Sequence, residues 1–112
     1  MLVLSLETST SRTSVALVEH DHVLASASLG RPRGHGRFLA PAIRFCLDQA
    51  DVDVDRIHGV AVGLGPGLYT GLRVGIATAQ TFAAARQLPT VGLCGLDVLA
   101  FRVRYTRRTI CA

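Results

Sequence analysis

The chain has 112 residues, enough for one folded domain and too few for two of ordinary size. With 49% hydrophobic residues it is too apolar for a disordered chain, yet its apolar runs are too short to cross a bilayer. All 12 basic residues are arginine, so the absence of lysine excludes a Walker A loop and a Schiff-base enzyme, and the formal net charge of +4 makes nucleic acid a possible partner.

A meander of three strands is predicted for the first part of the chain. The apolar residues 2–6 predict a buried strand, and the alternating residues 13–18 and 23–29 predict two more. Short polar segments separate the three runs. Connections this short imply that neighbouring strands are antiparallel.

Helices and strands alternate in the rest of the chain. A wide apolar stripe predicts a helix from about residue 37 to 50, and small apolar residues predict a central strand over 57–64. A second helix follows from about 70 to 86, then a strand over 90–94 and a short helix over 97–101. The order β-β-β-α-β-α-β-α indicates an α/β fold, with a mixed five-stranded sheet flanked by helices. Ribonuclease-H-like and actin-like proteins share this core.

The end of the chain predicts a domain boundary. Residues 109–112 alternate in the way that a strand does at its start. We therefore interpret residues 1–108 as one domain and residues 109–112 as the beginning of a second, truncated one.

Cysteines and arginines bear on the compartment and the partners. Cys46, Cys94 and Cys111 are odd in number and widely spaced, which favours free thiols in the cytoplasm over a disulfide framework. Arginines cluster within residues 31–37 and 102–108. They are interpreted either as solvated surface or as contacts to the phosphates of a nucleic acid.

The stretch GLGPGLYTGLRVG, residues 63–75, joins the fourth strand to the second helix. It contains neither the GxGxxG dinucleotide fingerprint nor a Walker A loop. Free N–H groups at the N-terminus of the second helix are compatible with a generic anion site, and so, separately, are the hydroxyls that follow the first strand. The alternative is a tight strand-to-helix connection, with the hydroxyls bonded inside their own turn. The candidate anion-binding or nucleotide-binding residues are Thr8, Ser9, Thr10, Gly65, Gly67, Thr70 and Arg73.

A stripe of small residues is predicted along the second helix. Gly71, Gly75, Ala79 and Ala83 recur every four residues and therefore share one face. Glycine inside a helix is unfavourable, which indicates a close approach of another backbone. That backbone belongs either to a partner or to the protein's own sheet. If the backbone belongs to a partner, Gly75→Leu is expected to weaken association with that partner while the chain itself stays folded. The candidate interface residues are Leu39, Ile43, Leu47, Gly71, Leu72, Gly75, Ala79 and Phe82.

The sequence contains no recognisable catalytic constellation. Glu7 ends the first strand, but the fourth strand ends without an acid, and the remaining acids fall mainly in turns and at helix ends. A two-metal nuclease needs carboxylates that converge on one site. The histidines show no HxxxH or HExxH spacing. No catalytic or metal-binding residue is therefore predicted.

Three stretches of the chain resemble the TsaB (YeaZ) family. They are LETST after the first strand, HGRFLAPAI at the first helix and GLGPGLYTGLRVGIATAQTFA around the second. The third is the most specific, since it is similar to the family's G-P-G-S-F-T-G-L-R-I-G. Leu68 and Tyr69 stand where the family has serine and phenylalanine. The resemblance covers essentially the whole chain.

The resemblance implies a cytoplasmic, actin-like protein of two similar domains that assists threonylcarbamoylation of adenosine 37 in tRNA (t6A). It implies a non-catalytic scaffold that docks, through the helices of its first domain, on a TsaD-type transferase, which holds the metal. A TsaE-type ATPase and ATP or ADP join that assembly, so this chain alone is expected to bind no cofactor. Homodimers through the same helices and indirect contact with tRNA are also implied. An actin-like enzyme that uses ATP and a metallopeptidase-like protein or nuclease stay open as alternatives.

Overall fold

The computed structural model describes residues 1–30, 35–67 and 69–102. Its five strands are β1 (Leu2–Glu7), β2 (Thr13–Glu19), β3 (His22–Leu29), β4 (Gly59–Gly63) and β5 (Thr90–Leu93). They form one sheet in the order β3-β2-β1-β4-β5. β1 pairs antiparallel with β2 and parallel with β4, while β2–β3 is antiparallel and β4–β5 parallel. The predicted mixed five-stranded sheet is confirmed.

Three helices accompany the sheet, namely α1 (His35–Ala50), α2 (Tyr69–Arg86) and α3 (Gly95–Arg102). α1 packs on β2 and β3, whereas α2 packs on β4 and also contacts β1 and β5. The two helices contact each other, so they cover the same face of the sheet. None of the helices in the described part of the chain combines the length and apolarity that crossing a bilayer requires.

The core lies between this face of the sheet and the two helices. In β1, Leu2, Leu4 and Leu6 are each no more than 1% exposed, and the residues between them are half-buried on the opposite face. This is the period of two expected for a strand with one covered face. Burying a leucine side chain stabilises the folded state by about 1.5–3 kcal/mol. The three leucines of β1 therefore favour the arrangement in which their face of the sheet is covered by the helices.

Element boundaries differ from the predicted ones by a few residues. α1 begins at His35 rather than near residue 37, and α3 begins at Gly95 rather than 97. A 3-10 turn over Val54–Arg56 was not predicted. The Asp53 carboxylate accepts a hydrogen bond from the Asp55 N–H at 3.0 Å and caps this turn. The proposed start of a second domain, residues 109–112, lies outside the described residues.

Candidate functional site

The carboxyl ends of β1 and β4 meet at one edge of the sheet because the two strands are parallel. Thr8 and Ser9 follow β1, and the glycine loop, defined here as residues 64–67, follows β4 and leads into α2. Such an edge is where open α/β sheets bind their ligands. The structure thus brings the two predicted groups of anion-binding residues to the same place.

Thr8 joins β1 to the first turn of α2. Its side chain is fully buried, and its hydroxyl donates a hydrogen bond to the Gly71 carbonyl at 2.6 Å. One turn further along α2, a Cβ on Gly75 would overlap the Thr8 hydroxyl. α2 therefore approaches β1 as closely as it does because position 75 has no side chain.

Ser9 is held from both sides. Its N–H donates to Glu7 Oε1 at 2.8 Å, and its hydroxyl donates to the same carboxylate oxygen. The Gly67 Cα lies against the Ser9 carbonyl, so closely that a Cβ on Gly67 would overlap this oxygen. The glycine loop is thus packed directly onto the chain that leaves β1, with no space between them for a phosphate group at this point.

The side chains of three other predicted anion-binding residues are either bonded within their own turn or exposed. The Thr10 hydroxyl donates to the Arg12 carbonyl at 3.0 Å and accepts from the Arg12 N–H at 3.2 Å, which is hydrogen bonding within its own turn. Thr70 and Arg73 are exposed on α2. Anion binding at these two residues stays a prediction, whereas the hydroxyls of Thr8, Ser9 and Thr10 donate their protons to partners within the chain.

The predicted partner-facing stripe of α2 points inward, so its predicted orientation is wrong. Gly71 and Gly75 are buried, and Ala79 and Ala83 are 0% and 2% exposed. They pack on the protein's own sheet, which is the alternative that the spacing left open. A spacing of four residues defines a face of a helix and does not identify what covers it. Gly75→Leu is accordingly expected to disturb folding rather than association alone.

The first-helix residues of the predicted interface are corrected for the same reason. Leu39, Ile43 and Leu47 belong to the core beneath α1, each 7% exposed or less. Leu72 and Phe82 are half-buried at the border of the helical layer. Their burial stabilises the fold, and Ile43 and Leu47 keep only a small exposed area, in a groove between the two helices.

A groove runs between α1 and α2 on the outer side of the helical layer. Its volume is about 230 Å³, and the Arg86 guanidinium lies 4.1 Å from the centre of the Phe82 ring beside it. Sequence reasoning missed Ala40, Arg44, Val54 and Arg86, although Phe82 and Arg86 have the i, i+4 spacing of contacting side chains. The groove is lined by Ala40, Ile43, Arg44, Leu47, Val54, Phe82 and Arg86.

Small residues also form a second stripe on α2. Ala77, Thr81 and Ala85 are exposed and recur every four residues. They are offset by two positions from Gly75, Ala79 and Ala83, which places them on the opposite side of the helix. The outer surface of the helical layer is defined here as this stripe together with the groove and Phe45 of α1, which is 49% exposed.

A second apolar surface lies on the last described elements. Six large apolar side chains between 38% and 63% exposed occur on or beside β5 and α3. An exposed apolar area of this kind is typical of a surface that another structural unit covers. Its residues are Leu64, Val91, Leu93, Leu96, Val98 and Phe101.

One buried thiol on α1 has a shifted pKa. Burial raises the pKa of Cys46, whose Sγ–H points to the Val15 carbonyl at 3.8 Å. Within residues 1–30, 35–67 and 69–102, no three His, Cys, Asp or Glu side chains come together as metal ligands would. Arg37 is exposed, while the side chains of Arg31 and Arg33 and the cluster over 102–108 lie outside the described part.

Comparison with known proteins places this arrangement in a family. The model of the TsaD family, tRNA N6-adenosine threonylcarbamoyltransferase, matches residues 29–112. The chain is 35% identical to the tRNA threonylcarbamoyladenosine biosynthesis protein TsaB of Escherichia coli, over 89% of this chain and 43% of that protein. It is 36% identical to a tRNA N6-adenosine threonylcarbamoyltransferase of Geobacter sulfurreducens, over 83% of this chain and 32% of that protein.

A solved structure agrees with the sequence matches. YeaZ from Pseudomonas aeruginosa superposes with a TM-score of 0.84 and 37% identity, over 91% of this chain and 47% of that one. The chain thus spans less than half the length of each of these relatives. The family model covers most of this chain, and TsaB and YeaZ proteins share its sequence and its fold. The chain therefore belongs to the TsaB/YeaZ family, within the group of proteins that the TsaD model matches.

Proposed function

We propose that this chain is the first domain of a non-catalytic scaffold that supports a TsaD-type transferase in the t6A modification of tRNA. The observation that carries the proposal is the packed edge of the sheet. There the Thr8 hydroxyl is bonded to Gly71, the Ser9 hydroxyl to Glu7, and Gly67 lies on the Ser9 carbonyl. An actin-like enzyme needs this edge open for phosphate, whereas a scaffold gains rigidity from closing it.

The partner-binding surface in this proposal is the outer surface of the helical layer rather than the inward stripe. Exposed small residues on α2 allow a partner helix to come close, and the groove beside Phe82 accepts an apolar side chain. Arg44 and Arg86 stand at the groove. A TsaD-type transferase is the proposed occupant, and a second copy of the protein is the alternative occupant in a homodimer.

The remaining components belong to the assembled complex. ATP or ADP and the metal are proposed to be bound by the TsaD-type and TsaE-type subunits, with tRNA contacting this protein indirectly in the cytoplasm. The side chains of this chain support the assignment of the metal to another subunit, because no three His, Cys, Asp or Glu side chains come together among its described residues. The transferase names among the relatives make a catalytic role the competing hypothesis.

One experiment tests both parts of the proposal. The full-length protein, its Thr81→Arg variant and a control Ser26→Arg variant are each titrated onto the purified TsaD-type subunit. Thr81 lies on the exposed face of α2, and Ser26 is exposed on β3 at the far edge of the sheet. We expect Thr81→Arg to weaken binding at least tenfold, because the new side chain must be buried with its charge, while Ser26→Arg binds normally.

Two results would contradict the proposal. Equal binding by the Thr81→Arg variant and the wild type would exclude the outer surface of the helical layer as the docking surface. Threonylcarbamoyl transfer or ATP hydrolysis by this protein without its partners would show that it is an enzyme. Circular dichroism of each variant establishes that it is folded.

The second domain is also a proposal. We infer that the apolar surface on β5 and α3 is covered by a similar domain in the full-length protein, since this chain matches less than half of each of these relatives. A hydrophobic dye is expected to bind the isolated 112 residues and to bind the full-length protein much less. Equal dye binding by the two would contradict this inference.

A further inference from the structure

A histidine joins the two central strands at the other end of the sheet. His58 stands directly before β4, and its N–H donates to the Leu2 carbonyl at 2.8 Å. In return the Leu2 N–H donates to Nδ1 of the His58 ring at 2.9 Å. These two hydrogen bonds connect the first residue of β1 to the residue that precedes its parallel neighbour.

The second of these bonds depends on the protonation of the ring. Nδ1 accepts through its lone pair, so the ring must be neutral, with its proton on Nε2. Protonation of Nδ1 would turn the acceptor into a donor and set two N–H groups against each other. We propose that His58 is a pH-sensitive latch, which holds the start of β1 on β4 when the ring is neutral and releases it when the ring is protonated.

The charged groups on the neighbouring segments either oppose a positive charge on the His58 ring or are already paired or exposed. The amino group of Met1, next to Leu2, opposes a second positive charge there. Glu19 pairs with Leu2 across β1–β2, but its carboxylate already lies 3.6 Å from the guanidinium of Arg56. Asp55 belongs to the 3-10 turn and is exposed. The carboxylates at this end of the sheet are therefore either paired or in solvent.

The sign of the pH dependence follows from the bond. The bond from the Leu2 N–H needs the lone pair of the neutral ring, so acidification removes this bond from the folded chain. The contribution of the latch is therefore lost as the pH falls.

The test compares urea unfolding of the wild type with two variants, at about pH 7.5 and about pH 5.5. In His58→Asn, the side-chain Oδ1 can take the place of Nδ1 as an acceptor and does not titrate. His58→Leu has no acceptor. All other histidines are common to the three proteins, so their titration cancels in the comparison.

We expect the folding equilibrium constant of the wild type to fall on acidification by roughly three- to tenfold more than that of His58→Asn. At the higher pH, His58→Asn is expected to match the wild type, and amide exchange at Leu2 to be slow in both. An equal response to acid in the wild type and His58→Asn would overturn the proposal. So would a His58→Leu variant as stable as the wild type at the higher pH. If His58→Leu does not fold, the His58→Asn comparison and the exchange of the Leu2 amide decide.

Discussion

Two opposite sides of α2 carry similarly small residues, but one side is buried and the other is exposed. Gly75 and Ala79 lie against β1 and β4 with almost no exposure, while Ala77 and Thr81, two positions further along, face outward. Both stripes have small side chains at intervals of four residues. The difference teaches that small residues on a helix permit a close approach without specifying whether the chain's own sheet or a partner makes it.

Replacing a small residue by leucine on each side of α2 sharpens this comparison and has the largest expected effect. Gly75→Leu places a side chain where Thr8 packs, and overpacking of this kind costs about 1–3 kcal/mol or more. The melting temperature is expected to fall by roughly 10 °C or more, or the chain not to fold. Ala77→Leu, the matched control, is expected to change stability by less than about 0.5 kcal/mol. Equal melting temperatures for the two variants would contradict the inward packing of Gly75.

A smaller effect is expected from the hydrogen bond under the inner stripe. Thr8→Val keeps the shape of the side chain but removes the buried hydrogen bond that the Thr8 hydroxyl donates to the Gly71 carbonyl. The loss is expected to be about 1–3 kcal/mol by urea unfolding. Thr10→Val, the control, removes an exposed hydroxyl from its own turn, with an expected loss below about 1 kcal/mol. If both variants unfold at the same urea concentration, the Thr8 hydroxyl does not stabilise the α2–β1 contact.

The smallest effect concerns the two described cysteines, one buried on α1 and the other half-exposed directly after β5. Burial raises the pKa of Cys46, so its thiol keeps its proton in the folded chain at a pH where an unfolded chain ionises. Stability is therefore expected to decline slightly as the pH rises above about 9. Alkylation followed by peptide mass spectrometry should label the half-exposed Cys94 well before Cys46.

Denaturant provides the control for this labelling. Both thiols are expected to react at similar rates once the chain is unfolded. Rapid labelling of Cys46 under native conditions would show that α1 opens away from β2 more readily than its burial implies.

The residues of the candidate site could be named from the sequence, but the hydrogen bonds that they make could not. The hydroxyls after β1 and the glycines after β4 were each predicted as candidate anion-binding residues, and they meet at one edge of the sheet because β1 and β4 are parallel neighbours. What the hydroxyls do was not predictable. The partner of Thr8 is a carbonyl 63 residues away, and no local pattern encodes that distance.

The groove between α1 and α2 marks another limit. Ile43 and Leu47 were expected at a partner interface and lie mainly in the core, while Arg86 was not expected in the groove at all. An apolar stripe shows that a helix buries one side. Where the stripe meets the edge of a neighbouring helix depends on how the two helices cross, which is set by the packing of both on the sheet.

The sequence by itself determined the fold class of this protein. The alternation in β1 and β2 has the period of two residues of a strand, and the apolar stripe of α1 has the period of 3.6 residues of a helix. Glycines and polar turns separate these elements along the chain. The tertiary structure alone decided which side of α2 the sheet covers, that the edge beside Thr8 is closed, and that His58 accepts from Leu2. The physical reason is that each of these depends on atoms brought within 3 Å of each other from distant parts of the chain. Periodicity orients a residue on its own helix or strand, and only packing selects its partner.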